Sequence, residues 1–468
     1  MRLDTLLFDA CARFGEAVAL EDAQHRLSYA ELFQAARAIA DDLRAVGLHA
    51  DEPVLVAVAN TPHDIAAFIG VWASGGVVVP VARNAPAAVT DATRATTGAR
   101  FVVTGANVER WADQAPPARP ILAGAALVIF TSGSTGAPKG VVLGHAAFAA
   151  KLAEIDSALD FSPQTRALLV LQITFVFGIW VTLLTLMKGG SVFMAPRFDP
   201  VAVITVLAER RITDAAFVPT MLRRLVAADG CPGPLQRIHT GGEPFSPALG
   251  QRLQKMFPKT EIIDIYGLTE TASSDFFAFT TRDKAFNGGI GRISKSERFR
   301  IADAEGNEAR PGESGELQIC TPFIMNGYLD APELTRASFC GDYFRTGDLA
   351  RVRPDGTVEL VGRAKDLIMR AGAKISPLEL DGLIARHPSV AAALTVGVAD
   401  PLVGERIHVL VVPRDGQTTD EAALRQWVAD RVERYKRPDV YHFGSELPIG
   451  RTGKVDRDAL RRRIAEKA

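Results

Sequence analysis

The segment that most restricts the fold is residues 131–140, TSGSTGAPKG, set between two apolar runs, ALVIF before it and GVVL after it. Its ten residues hold three glycines, four hydroxyls (Thr131, Ser132, Ser134, Thr135) and one lysine, Lys139. Glycines let backbone N–H groups approach an anion closely, hydroxyls add donors, and the lysine adds positive charge. That combination suits a polyphosphate. A Gly/Ser linker has a similar composition, but a linker is not flanked by two strand-like runs. Nor is this a Walker loop, because Pro138 precedes Lys139 and Gly140 follows it.

The rest of the chain supplies the framework such a loop needs. Around it, amphipathic helices alternate with short apolar runs, among them 53–59 and 77–81, as far as residue 270. That alternation predicts α/β layers with largely parallel sheet. In SYAELFQAARAIADDLRAVG, Ser28 is the expected N-cap, Glu31 completes a capping box, and Gly47 ends the helix. From about residue 285 to 362 short strands and turns (GELQIC, RPDGTVEL) predict a small β-rich subdomain. After Gly362 about 100 residues remain, with strands (AALTVGVAD, RIHVLVVP) and helices of their own, enough for a separate domain.

Composition removes several function classes. A 47% hydrophobic content excludes a mostly disordered chain. Lys and Arg number 53 against 54 Asp and Glu, so no global basic field exists for nucleic acid. Four scattered cysteines, at 11, 231, 320 and 340, form neither a disulfide framework nor a zinc site and read as reduced thiols in a cytoplasmic protein. The N-terminal MRLDTLLFDACARFGEA reads as an amphipathic helix and not a signal peptide, and RRRIAEKA carries no retention tripeptide. Residues 167–187 form an uncharged stretch of 21, long enough for a bilayer. Gln172, Thr174, Gly178, Thr182 and Thr185 interrupt it, and a strand followed by a buried helix is the expectation, with no membrane span.

TSGSTGAPKG resembles the phosphate-loop signature of the adenylate-forming superfamily, which includes acyl- and aryl-CoA synthetases, adenylation domains of peptide synthetases, and luciferases. The resemblance implies that Thr131, Ser132, Gly133, Ser134, Thr135, Gly136 and Lys139 bind the nucleotide. TGGEPFS, residues 240–246, resembles the adenine-binding turn, with Gly241, Gly242 and Glu243 in the ATP site and Gly241 also lining the acyl pocket. IYGLTE, residues 265–270, is the more selective string. It implies Tyr266 against adenine with Gly267 beside it, Thr269 on phosphate, and Glu270 on Mg²⁺. The chemistry agrees, since Mg²⁺ takes hard oxygen ligands, commonly one or two carboxylates plus phosphates and waters.

Further motifs follow in the family's order. YFRTGDLA offers Asp348 for the ribose, and an ionised carboxylate can accept from both hydroxyls at once. In GRAKD, Arg363 matches the ribose and phosphate arginine and Lys365 the interdomain hinge. IMRAGAKISPLELD resembles the loop of the pantetheine tunnel, with Gly372 closest to it. LPIGRTGKVDR contains Lys454, 14 residues from the end. By itself RTGK is an exposed basic turn; with the family motif it implies the catalytic lysine of adenylation. The implied fold is α/β: a large N-terminal AMP-binding domain, residues 1–364, of layered α/β subdomains with a small β-rich subdomain, and a smaller mobile α+β C-terminal domain, 365–468. The implied catalytic set is Lys454, Glu270 and Thr269.

Substrate choice is read from the presumed acid pocket, Phe175, Val176, Phe177, Gly241, Gly267 and Leu268. Relatives that activate amino acids carry an aspartate where Val176 stands. Without it a buried ammonium would be unpaired, which disfavours an α-amino acid. Two aromatic groups, Phe175, Phe177 and Trp180, and Phe276, Phe277 and Phe279, resemble benzoate-type aryl-CoA ligases, although each ring reads equally well as core. His145 is read as structural. The expected reaction is ATP-dependent ligation of an aryl or small cyclic carboxylate to coenzyme A through an acyl-adenylate, with Mg²⁺, in a monomer or homodimer. Alternatives are loading of a carrier protein in trans, a short- or medium-chain fatty acyl-CoA synthetase, and a degenerate nucleotide-binding regulatory protein.

Overall fold

Apolar runs that read as strands assemble into four sheets in the computed structural model, which describes residues 1–468 apart from 132–137, 229–232, 234, 281–287, 304, 415, 451–454 and 467–468. The residues around the phosphate loop lie in a seven-stranded sheet. Pro53–Val58 pairs in parallel with Val77–Ala82 and Phe101–Thr104, and Ala125–Thr131 runs parallel to Val77–Ala82. Lys139–Gly144 then returns antiparallel to Ala125–Thr131, so that Thr131 faces Lys139. A nine-stranded sheet has a parallel centre, Glu261–Tyr266, Arg237–Gly241, Asp214–Phe217, Arg166–Leu169, Ser191–Met194 and Val18–Glu21, with antiparallel strands at both edges.

Helices cover these sheets for reasons visible in the sequence. Helix Tyr29–Ala45 starts at Ser28, whose side chain accepts from Glu31 N while Glu31 accepts from Ser28 N, the expected capping box. Helix Pro62–Ala73 is apolar on all sides after His63 and Asp64 and accordingly buried, Phe68 and Trp72 included. One large core joins these helices to both sheets, through residues such as Val56, Ile129, Leu169 and Ile263. The uncharged stretch resolves as expected into strand Arg166–Leu169 and the buried helix Val176–Met187 of 12 residues. Among the described residues no helix is long and apolar enough to cross a membrane.

The β-rich part is a five-stranded sheet, Arg298–Ala302, Gly315–Cys320, Tyr343–Val352, Phe339–Cys340 and Val358–Arg363, with its own core around Leu317, Ile319 and Val358. The C-terminal domain holds the fourth sheet, built on the long hairpin of Val390–Asp400 and Gly404–Pro413. Helices Pro377–Ile384, Glu421–Ala429 and Arg457–Ala465 flank it and bury Leu380, Leu424 and Leu460. A mixed α/β architecture with a large N-terminal domain and a smaller α+β C-terminal domain is therefore what the chain forms.

Candidate active site

IYGLTE runs off the end of strand Glu261–Tyr266 into a tight loop that returns at strand Phe276–Phe279. Three backbone bonds close it: Asp275 N to Tyr266 O (2.7 Å), Ser273 N to Leu268 O (2.7 Å) and Ala272 N to Thr269 O (3.0 Å). The return uses three successive non-glycine residues at positive φ, Ala272 (60°), Ser273 (79°) and Ser274 (58°). Each such residue costs about 1–3 kcal/mol and persists only where its surroundings impose it. Gly267 permits the close passage, since a Cβ there would lie 2.1 Å from Ser274 N. The loop therefore presents Thr269 and Glu270 as a held turn and not as a flexible tip.

A second segment closes on that turn. Met325 N donates to Glu270 O (2.8 Å), and Tyr328 Oη donates to Glu270 Oε1 (2.8 Å). Tyr328 also lies under Lys139, whose Nζ is 5.3 Å from the ring centroid. Burial, reinforced by Glu270, raises the Tyr328 phenol well above its usual range, so it stays a donor. One side chain thus joins the phosphate-loop lysine to the acid assigned to the metal. Nothing in the sequence marks Tyr328, and the sequence analysis missed it. The donor chemistry fits Mg²⁺: Glu270 offers a hard carboxylate with one oxygen beyond the Tyr328 bond, which would leave the remaining positions to phosphates and water.

The structure brings together Tyr266, Asp348 and Arg363. Asp348 and Arg363 are direct partners in the antiparallel pairing of Tyr343–Val352 with Val358–Arg363. Arg363 Nε donates to Asp348 Oδ1 (2.8 Å), and Tyr266 Oη donates to Oδ2 (2.7 Å). Asp348 is buried while the arginine side chain is 57% exposed, so the pair sits at an open edge. Burial, together with Asp348, pushes the Tyr266 phenol far above its ordinary range. Asp348 raises the Arg363 guanidinium in turn.

In the turn after strand Arg237–Gly241 both glycines are required. A Cβ on Gly241 would stand 2.3 Å from Ile265 O, and Gly242 has φ 79°. The Glu243 carboxylate is engaged elsewhere: it accepts from Thr220 N (3.0 Å), Thr220 Oγ1 (2.7 Å) and Arg223 Nη2 (3.2 Å). It therefore secures the turn to the first residues of helix Pro219–Ala227.

The aromatic residues divide differently from the expected two groups. Phe175 is the N-cap residue of helix Val176–Met187, Val176 is buried, and Phe177 stacks on Trp180 with centroids 5.5 Å apart. Phe277 and Phe279 stack on each other and join the same core as Val176 and Trp180. Phe276 points to the other face of its strand, against Tyr266 (5.9 Å) and Phe299 (5.2 Å), in the core of the β-rich sheet with Leu268. Period-two alternation separates it from its neighbours. Leu268 accordingly packs with Tyr266 and Phe276, apart from Val176 and Phe177.

Lys365 is exposed in the short 3₁₀ turn Ala364–Asp366, just after the last strand of the β-rich sheet. Gly372 (φ 83°) and Ala371 (φ 48°) form the exposed tip of the hairpin Ile368–Arg370 and Ala373–Ile375, with nothing within 4 Å of a Cβ at Gly372. Ser132, Gly133, Ser134, Thr135, Gly136 and Lys454 lie outside the described residues. His145 is buried, its Nδ1 accepting from Leu3 N (3.2 Å), as a structural role requires.

The geometry agrees with comparisons across known proteins. Residues 7–124 and 109–329 match the AMP-binding enzyme family, and 379–454 match the AMP-binding enzyme C-terminal domain. Feruloyl-CoA synthase of Amycolatopsis is 30% identical over 96% of both chains. Sulfoacetate–CoA ligase of Cupriavidus necator is 35% identical over 73% of this chain and 67% of its own. Among solved structures, ATP-bound MatB from Rhodopseudomonas palustris covers 100% of both chains at TM-score 0.87 and 23% identity, a likeness of fold. The chain belongs to the AMP-binding enzymes, in the acyl- and aryl-CoA ligase branch of the adenylate-forming superfamily.

Proposed function

We propose that this AMP-forming acid–CoA ligase works on an aryl or small cyclic carboxylate, with its nucleotide held between two groups of side chains. The observation that carries the reading is the single loop 266–270, which joins the Tyr266–Asp348–Arg363 group at one end to the Glu270–Tyr328–Lys139 group at the other. Asp348 keeps acceptor capacity for ribose hydroxyls beyond its two present bonds. On this reading Thr131, Lys139 and Thr269 bind the phosphates, together with the motif glycines and hydroxyls of 132–136, which lie outside the described residues. Glu270 would hold Mg²⁺, which when bound would supply charge neutralisation at the transferring centre.

In the first step a substrate carboxylate oxygen attacks the α-phosphorus and pyrophosphate leaves. Lys454 stabilises the charge that develops. The second step breaks the acyl–phosphate bond: the CoA thiol loses its proton, attacks the acyl carbon, and AMP departs. Domains divided at residue 364, turning about Lys365, would exchange Lys454 for the Gly372 hairpin between the steps. Aryl specificity is supported by Phe175 and Phe177 and by the feruloyl-CoA synthase relative, while the absence of a carboxylate at Val176 disfavours an α-amino acid.

A carboxylate panel read by AMP release tests this. It would contain benzoates, ferulate, straight-chain fatty acids, amino acids and sulfoacetate, each with CoA or a phosphopantetheinyl carrier protein. Fastest release with an aryl acid and CoA is expected. Turnover confined to straight-chain acids, or to the carrier protein, refutes the reading.

A further inference from the structure

Beneath the Glu270 loop lies a charged group that the reaction as described does not use. Lys151, on helix His145–Leu159, is fully buried, as are Asp275 and Glu297. Its Nζ donates to Asp275 Oδ1 (2.8 Å) and Glu297 Oε1 (2.5 Å) and stands 5.2 Å from the Phe323 ring centroid. Placing three charges out of water is costly, and apolar residues of the same volume would stabilise a core at least as well. Stability alone does not explain them. What they touch does.

Each carboxylate secures one of the two segments that meet at Glu270. On one side, Thr271 Oγ1 gives its proton to Asp275 Oδ2 (2.5 Å) and accepts from Leu268 N (3.3 Å), bracing the loop on both flanks of Glu270. On the other, Glu297 Oε1 accepts from Thr321 Oγ1 (2.8 Å), which in turn accepts from Phe323 N (3.2 Å). That segment continues to Met325 and Tyr328, the residues bonded to the Glu270 carbonyl and carboxylate. Ser294 completes the group, its Oγ donating to Glu297 Oε2 (2.8 Å) and its N to Asp275 O (2.9 Å).

We propose that Lys151, Asp275 and Glu297 are positioning residues for Glu270, holding its loop and the 321–328 segment in register so that the carboxylate is set for a metal–nucleotide complex. The proposal rests on the reading of Glu270 as the metal carboxylate. Burial raises the Asp275 carboxyl, with Lys151 opposing and Glu297 reinforcing the shift, which agrees with two acids sharing one ammonium.

Lys151→Met would strand two buried carboxylates and risks unfolding, so the test uses Thr271, which carries the connection and leaves the charged group intact. Thr271→Val, Thr271→Ser and Glu270→Gln are compared with the parent by calorimetric binding of a non-hydrolysable ATP analogue, with Mg²⁺ and with EDTA. Hydrogen exchange of the 267–275 amides and the thermal midpoint are recorded alongside. Thr271→Val is expected to weaken Mg²⁺-dependent binding about tenfold, leave binding in EDTA within about twofold, and speed exchange in the loop. Thr271→Ser, which keeps the hydroxyl, should restore the parent affinity. Parental Mg²⁺-dependent affinity in Thr271→Val, equal losses for Val and Ser, or a loss of the same size in EDTA overturns the positioning role. An unaltered Mg²⁺ dependence in Glu270→Gln overturns the reading of Glu270 and the proposal with it. A shift in Glu270→Gln alone overturns the positioning role and leaves that reading standing.

Discussion

Tyr328→Phe isolates one contact at the centre of the site. The ring stays, so Lys139 keeps its aromatic support at 5.3 Å, worth about 0.5–1 kcal/mol. The hydroxyl is lost, and with it the 2.8 Å bond to Glu270 Oε1. A hydrogen bond to a charged group is worth about 1.5–3 kcal/mol net. Glu270 is only half-buried, so water replaces part of the loss and the lower end applies, about 1.5 kcal/mol or roughly tenfold. ATP–pyrophosphate exchange at varied Mg·ATP is the assay. Expected is a fall of about tenfold in kcat/KM for Mg·ATP, with the KM for the acid within about twofold. Because burial and Glu270 hold the phenol protonated well beyond its usual range, the ratio of parent to variant should stay flat from neutral to mildly alkaline pH. Parental kcat/KM for Mg·ATP, or an equal effect on the acid, would show that Tyr328 does not orient Glu270.

Asp348→Asn removes the charge that receives Arg363 and Tyr266, and the KM for ATP should rise about ten- to fiftyfold while the acid KM holds, checked by the same exchange assay. Lys454→Ala should slow acyl-adenylate formation at least about a hundredfold, yet leave thioester formation from supplied acyl-adenylate near parental, which single-turnover measurements separate. Burial, with Arg2 adding repulsion, depresses the His145 imidazole to about 3. Its folded pKa thus lies below the unfolded value near 6.5, so stability is complete above about pH 6.5 and declines as pH falls toward 3. Between pH 7.5 and 5, urea unfolding should show the parent losing about 2 kcal/mol more than His145→Gln. Equal losses would place the acid sensitivity elsewhere.

Much of the site is short-range and therefore legible in the chain. The capping box joins Ser28 to Glu31 three positions on, Gly267 is forced by the backbone of nearby Ser274, and Asp348 and Arg363 are 15 positions apart on adjacent strands of one hairpin. The Phe276–Phe279 strand was legible in principle: alternation alone assigns Phe276 to the opposite face from Phe277 and Phe279.

Residue type and spacing in the chain by themselves determined the layered α/β class and the anion-binding character of 131–140, because hydrophobic period and loop composition are local properties, while the resemblance of the motifs to the adenylate-forming superfamily implied the reaction. Tertiary structure alone decided that Tyr328 joins Lys139 to Glu270, that Glu243 braces a helix, and that Lys151 meets Asp275 and Glu297. Those partners stand 58, 124 and 146 positions apart for Tyr328–Glu270, Lys151–Asp275 and Lys151–Glu297, and carry no local signature. A tyrosine or lysine reads the same in sequence whether it meets solvent or a buried carboxylate; only the packing of sheet on helix settles which.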